Sequence, residues 1–339
     1  MPGTPPVASS SQLRNPNFQP FRGAAAAPMP NASYSRSAKP CLVVGSVAID
    51  RVATPTAQSD NILGGAASYA SIAASYFAPT RLVGAVGGDF PKPFLTRLKK
   101  HGIDTTGLQV EKDGKTFFWS GRYHENFAGR DTLEIQLNVF EKFSPTLPEA
   151  YRETPYVMLG AIQPSLQHHV VDQLKSKQAF ILADTFDLWI KTTREDFDRL
   201  LPRVDLLVIN EDESKLLTGE TSLIVAGHKL RKMGPRIVVL KKGEHGSLLF
   251  HPDGFFAIPA YPVTKFIDPT GAGDSYAGAL IGYLASVNRT DFAALKKAVA
   301  YATAVASLTV ESFSVNRLSA GGRKTIDARY KELERITRF

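Results

Sequence analysis

The sequence predicts an α/β protein of three layers, a doubly wound, mainly parallel sheet between two sets of helices, with a small β lid standing off it. Three observations predict this. Short apolar runs recur with helical segments between them, the runs are continuously rather than alternately apolar, and two segments rich in aromatic and β-branched residues break the pattern. Continuous apolar runs belong to strands covered on both faces, as parallel strands joined through helices are.

Residues 1–39 are rich in Pro, Ala, Ser and Asn and lack hydrophobic periodicity, so they are expected to be a disordered leader without chemistry. Arg and Ser without acidic residues also suit a transit peptide, but no amphipathic helix and no secretory apolar core emerge, so an unstructured extension, or a start at Met29, ranks above targeting. Residues 40–339 are expected to form a single domain. Its first strand is read in CLVVGSVAID (41–50), ending over Gly45–Asp50, and Leu63–Ser68 opens an Ala-rich helix. Further core strands are read in the runs 80–87, 154–162, 178–186, 204–210 and 236–243. Thr116–Phe143 surrounds a polar, Gly-containing turn and reads as a hairpin that leaves the main sheet to form the lid. Gly246–Tyr261 reads as a second hairpin, extending the sheet edge.

Composition removes several classes of function. No stretch of the 339 residues approaches the ~20 apolar residues of a membrane span, so no membrane is expected as a partner. The net charge is +8, but Arg14, Arg22, Arg36 and Lys39 contribute +4 before the first acidic residue, Asp50. No Lys/Arg run with interleaved aromatics follows, so no nucleic acid is expected either. Cys41 is the only cysteine, which excludes an internal disulfide and a cysteine metal cluster; it opens an apolar run and reads as a small buried hydrophobe. A reducing, cytoplasmic location fits. His168–His169 has no third ligand nearby in sequence and reads as solvent-facing rather than as a zinc site.

The strongest chemical signal is Asp268-Pro269-Thr270-Gly271-Ala272-Gly273-Asp274, followed at once by the small-residue helix SYAGALIGYLAS. The glycines let backbone approach a ligand, and the unpaired N–H groups of a first helical turn point at any anion placed before it. Asp274 would sit in that positive field, stay ionised with a low pKa, and accept a hydroxyl proton. The plain alternative is a Gly-rich turn with an Asp in the helix cap. G-x-G-x-x-G is excluded because Tyr276 stands at the third glycine position, and no G-x-x-x-x-G-K-[ST] loop occurs. Asn210 and Glu213, directly after VDLLVIN, share a face at a helix start and can hold a hydrated Mg²⁺; the plain alternative is an acidic helix start favoured by the dipole.

DPTGAGD resembles the second signature of the ribokinase-like (PfkB) carbohydrate kinase family, and Asn210-Glu-Asp-Glu213 resembles that family's N-x-x-E magnesium motif in the same order. The resemblance spans roughly residues 41–339. It implies a kinase domain over 40–339 that transfers the γ-phosphoryl of ATP, with Mg²⁺, to a hydroxyl of a sugar or sugar-like molecule. It implies Asp274 as the catalytic base, the backbone of Gly271, Ala272 and Gly273 as an anion hole, and Asp268 and Thr270 near the phosphates and a monovalent cation site, with K⁺ as the candidate ion. By the same resemblance Asp50 accepts substrate hydroxyls and Gly64 and Gly65 let amides reach the substrate. Lys241, Gly243 and Gly246 border ATP, and the helix Tyr301–Glu311, with Ala304, Ser307 and the nearby Phe313, is expected to border adenine.

Two departures bear on the acceptor. Tyr69 stands where many members have Asn, and the D-x-N-x-R pattern after a middle strand appears as Asp184-Thr-Phe186-Asp187-Leu188. A nucleoside kinase on the same fold therefore stays open, with Tyr69 and Trp119 suited to an aromatic-lined pocket, as does a silent binding protein, against which Asp274, Asn210 and Glu213 argue. Trp119, Arg122, Tyr123 and Asn138 of the lid are read either as substrate or homodimer contacts or as hairpin packing.

Overall fold

The computed structural model describes residues 19–20, 34–125, 127 and 129–338. The chain runs through β1 (Gln19–Pro20), β2 (Cys41–Val44), β3 (Ala48–Ala53), β4 (Gln58–Gly64), α1 (Ala66–Ser75), β5 (Thr80–Gly87), α2 (Lys92–Lys100) and β6 (Asp104–Glu111). There follow β7 (Phe117–Tyr123), β8 (Arg130–Gln136), β9 (Tyr156–Leu159), α3 (Pro164–Gln173), β10 (Phe180–Asp184), α4 (Asp187–Thr192), α5 (Arg194–Leu200), β11 (Leu206–Asn210) and α6 (Glu211–Thr218). The last part comprises α7 (Leu223–Lys232), β12 (Ile237–Lys241), β13 (Ser247–His251), β14 (Gly254–Ile258), α8 (Ala272–Val287), α9 (Phe292–Thr309) and α10 (Asn316–Ile336).

Among the described residues the main sheet has the order β1-β6-β5-β2-β9-β10-β11-β12-β13-β14. From β6 to β12 every neighbouring pair is parallel, and β1, β13 and β14 join antiparallel at the edges. The apolar runs explain the layers. Along β2, Cys41 and Val43 belong to a core shared with α1, α8, α9 and α10, while Leu42 and Val44 belong to one shared with α3, α5 and α7. Successive side chains point to opposite faces, so each needs its own cover. The hairpin β13–β14 extends the sheet edge as expected, and Cys41 is fully buried.

Two expectations are corrected, the single first strand and the solvent-facing His168. CLVVGSVAID is not one strand: β2 stops at Val44, the chain turns over Gly45–Val47, and β3 enters a second sheet of order β4-β3-β7-β8. That sheet therefore contains Ala48–Gly64 as well as the hairpin β7–β8, and Asp50 is carried by it. Burial alternates along β3, but the polar Asp50 lies on its buried face and the apolar Ile49 on the more open one, so polarity does not report the alternation. Most of the leader expected to be disordered lies outside the described residues, but Gln19–Pro20 pairs with β6. Residues 34–39 pack on the body: the Tyr34 hydroxyl donates to Ser75 O (3.2 Å) and the Lys39 N–H to Ala285 O (2.9 Å). His168, expected in solvent, is half-buried between the Asp196 carbonyl (3.1 Å) and the Arg203 guanidinium (2.8 Å). Among the described residues no helix is long and apolar enough to cross a membrane.

Candidate active site

Strand order reverses at β2, from which the chain proceeds one way through β5 and β6 and the other way through β9 to β12. Ligands in open parallel sheets bind outside the carboxyl ends of the strands near such a reversal. Asp184 ends β10, Asn210 ends β11 and Lys241 ends β12 at that edge, and the loop 268–274 leads there into α8. The small residues of α8 let it lie directly on α1. A Cβ on Gly278 would stand 2.2 Å from Ala70 O, and one on Gly282 2.8 Å from Ala74 Cα. This close packing sets the Tyr69 ring beneath the loop: a Cβ on Gly271 would be 2.4 Å from it. Gly271 also caps α8 in the left-handed region (φ +77°), a conformation open to glycine. The Ala272 N–H donates to Pro269 O (3.1 Å), whereas the N–H groups of Gly271 and Gly273 make no hydrogen bond among the described residues. Of the three expected anion-hole positions, these two amides are the available ones.

Three carboxylates gather at this first turn. Asp50 is 4% exposed, and its pKa is pushed up to about 8 by burial, then by Asp268 and Asp274, against a hydrogen bond from the Gly65 backbone and the charge of Arg130. Its carboxylate lies over Gly64, where a Cβ would stand 1.9 Å from Oδ2, and Gly65 turns the chain into α1 at φ +87°. Asp268 is fully buried; its Oδ1 accepts the Thr270 N–H (2.9 Å), its Oδ2 has no partner, and burial raises its pKa to about 6. Burial and Asp184 likewise raise Asp274 to about 6, against Lys241 and Arg130. The low pKa expected from the helix dipole is therefore corrected: desolvation outweighs the field of one helical turn. At pH 7 Asp274 is still mainly ionised and can act as a base.

On the other side, Asn210 and Glu213 close a capping box. Asn210 Oδ1 accepts the Glu213 N–H (2.8 Å) and Glu213 Oε2 accepts the Asn210 N–H (3.0 Å). Burial raises Glu213 to about 7. Glu213 Oε1 accepts no hydrogen bond among the described residues, and an underused carboxylate oxygen suits a hard hydrated cation such as Mg²⁺. Among the described residues no cluster of three His, Cys, Asp or Glu could hold a metal ion. Lys241 reaches Asp184 (Nζ to Oδ1, 3.2 Å) and lies 3.0 Å from a Cβ position on Gly273. Gly243 adopts φ +56° with open space where its Cβ would point, while Gly246 is demanded by packing, since a Cβ there would meet Ile258 O at 2.0 Å. Ser307 is placed differently from the rest. Its hydroxyl donates to Ala304 O (2.7 Å) and accepts from Arg329 (2.8 Å), so it is committed to protein partners.

Sequence reasoning gave no role to Arg130. It lies over Trp119 (5.5 Å to the ring centroid) from the second sheet and over Phe186 (5.4 Å) from the end of β10, and it donates to the Tyr123 hydroxyl (3.5 Å). Tyr123 in turn reaches Thr270 Oγ1 (3.1 Å), and Phe127 meets Phe266 edge-on at 4.8 Å. The second sheet is thus seated on the 266–270 loop, and the rings of Trp119 and Phe186 flank Arg130. No spacing in the sequence links residue 130 to 186 or 274; only the hairpin register does.

The family model described as pfkB family carbohydrate kinase matches residues 39–320. A protein named cytidine kinase from Thermococcus kodakarensis is 32% identical over 254 residues, covering 73% of this chain and 88% of its own length. One named nucleoside kinase from Methanothermobacter thermautotrophicus is 30% identical over 261 residues, covering 74% and 79%. A ribokinase II structure from E. coli in complex with ATP and Mg²⁺ superposes with a TM-score of 0.72 at 20% identity, covering 87% of this chain and 99% of that one.

Proposed function

This chain belongs to the pfkB family of carbohydrate kinases, and from that premise we propose that it transfers the γ-phosphoryl group of Mg-ATP to a hydroxyl of a nucleoside. The observation that carries the transfer is Asp274 in the first turn of α8 beside two unpaired amides, with Asp50 close enough to raise its own pKa through it. The nucleoside as acceptor is supported by Trp119 and Phe186, whose rings flank Arg130, by the absence of the Asn and Arg that many family members carry, and by the two relatives named for nucleosides.

Asp50 accepts a hydrogen bond from an acceptor hydroxyl and fixes the sugar ring, with Gly64 and Gly65 admitting backbone close to it. Asp274 takes the proton of the reacting hydroxyl as that oxygen bonds to the γ-phosphorus and the bond from phosphorus to the β-bridging oxygen breaks, releasing ADP. The Gly271 and Gly273 amides and Lys241 receive the charge on the transferring oxygens. Thr270 and Gly243 border the triphosphate. Glu213 and Asn210 would hold Mg²⁺ through water, and the ion supplies charge neutralisation on the phosphates. The unpartnered Asp268 Oδ2 supports a monovalent cation there, with K⁺ as the candidate. The second sheet acts as a lid that excludes water from ATP. Its edge strand β8, with Leu133 and Ile135 53% and 48% exposed, supports a homodimer through the lid. A cytoplasmic setting belongs to the same reading.

ADP release with Mg-ATP across nucleosides, pentoses, hexoses and sugar acids tests the acceptor. Turnover confined to nucleosides is expected; efficient turnover on a simple sugar with none on any nucleoside would overturn it.

A further inference from the structure

The carboxyl ends of β10 and β12 carry a buried ion pair across the intervening β11. Lys241 Nζ lies 3.2 Å from Oδ1 and 3.5 Å from Oδ2 of Asp184, with the two side chains 17% and 4% exposed. The same ammonium lies 3.0 Å from the Cβ position of Gly273, against the first turn of α8. A helix N-terminus carries partial positive charge and repels a cation, and removing two ions from water costs more than an apolar pair of the same volume. Stability alone therefore does not account for the arrangement. The ammonium is instead held beside the unpaired amides of Gly271 and Gly273, with Glu213 and Asp274 as the further carboxylates acting on it. An anion entering there finds three donors close together, one of them hydrogen-bonded among the described residues to Asp184 alone.

We propose that Asp184 is a positioning residue that parks the Lys241 ammonium at the first turn of α8 until a triphosphate binds, when Lys241 exchanges the carboxylate for γ-phosphoryl oxygens. No proton or electron moves in the exchange; one charge-assisted contact replaces another, and Asp184 keeps the Thr185 N–H (3.0 Å) on its Oδ1. The inference rests on the phosphoryl-transfer reading above but not on the identity of the acceptor.

A double-mutant cycle on the full chain tests it, with Asp184→Asn, Lys241→Met and the double variant. Each is measured for kcat, acceptor KM and affinity for a non-hydrolysable Mg-ATP analogue without acceptor. Lys241→Met is expected to lower kcat about 100-fold and Asp184→Asn about 10-fold, with acceptor KM within about threefold of wild type. Measured at pH 8, where Asp274 is ionised with or without the neighbouring Asp184 charge, the double variant should be no worse than Lys241→Met, because Asp184 then acts through the lysine. Retention of nearly full kcat by Asp184→Asn, or a double variant that loses the product of the two single effects, overturns the proposal. If Asp184→Asn loses its cooperative melting transition, Lys241→Met and the double variant are compared directly: equal analogue affinity upholds the proposal and a tenfold weaker double variant refutes it. A wild type that binds the analogue but phosphorylates no nucleoside fails the acceptor reading alone, and the cycle is then read on analogue affinity.

Discussion

Replacing Asp50 by Asn should make the ligand-free protein more stable above neutral pH while removing acceptor binding. Asp50 is 4% exposed and its pKa rises from 3.8 to about 8. A carboxyl group with a raised folded-state pKa favours folding in its protonated form. That advantage is complete below pH ~4, the unfolded value, and is lost as pH climbs through about 8, so wild type pays for a buried charge at alkaline pH. Four pKa units at 1.36 kcal/mol each set a ceiling of about 5 kcal/mol. Water in an open cleft lowers this, and we take ~3 kcal/mol at pH 8.5, or a rise in Tm of roughly 5 °C. Asn keeps the acceptor for the Gly65 N–H and nearly the same volume, so packing is preserved. Thermal melts of both proteins from pH 4.5 to 8.5 should show curves that nearly coincide at the acid end and separate steadily upward. A variant no more stable than wild type at pH 8.5, or a gap that does not change with pH, would refute the reasoning.

Three further outcomes follow from the same geometry. Gly64→Ala places a Cβ 1.9 Å from Asp50 Oδ2 and should raise acceptor KM about tenfold or more, with analogue affinity unchanged, as measured by steady-state kinetics. Gly271→Ala forces a side chain onto the Tyr69 ring at φ +77° and should destabilise by about 2 kcal/mol or more, read by denaturant unfolding, as well as abolishing turnover. Because burial holds Asp274 at about 6, kcat/KM for the acceptor should fall about tenfold for each pH unit below that value and level off above pH ~7.

Much of the fold was legible because apolar runs covered on both faces report a parallel sheet directly, and the glycines at 271 and 273 report the turn that opens a helix. The break at Gly45 was not. A four-residue strand, a turn and a second strand are all apolar enough to read as one run, and only pairing with β4 and β7 reveals the switch of sheets. The place of Asp274 in the first turn of a helix was legible in the sequence, but its raised pKa was not, since burial outweighs the dipole that the sequence makes visible. Tyr69 and Asp184 were noticed only as departures from a pattern. Their partners, Gly271 and Lys241, are about 200 and 57 residues away, and nothing local announces a contact across strands. Arg130 depends on hairpin register, which composition leaves free.

The most direct measurement of the central claim is single-turnover phosphoryl transfer by Asp274→Asn beside wild type, with binding of the Mg-ATP analogue followed in the same preparations. Loss of a positioned base should slow transfer by roughly 100- to 10,000-fold while analogue affinity stays within about threefold. Transfer at close to the wild-type rate would contradict the assignment of Asp274 as the base and, with it, the mechanism built on the first turn of α8.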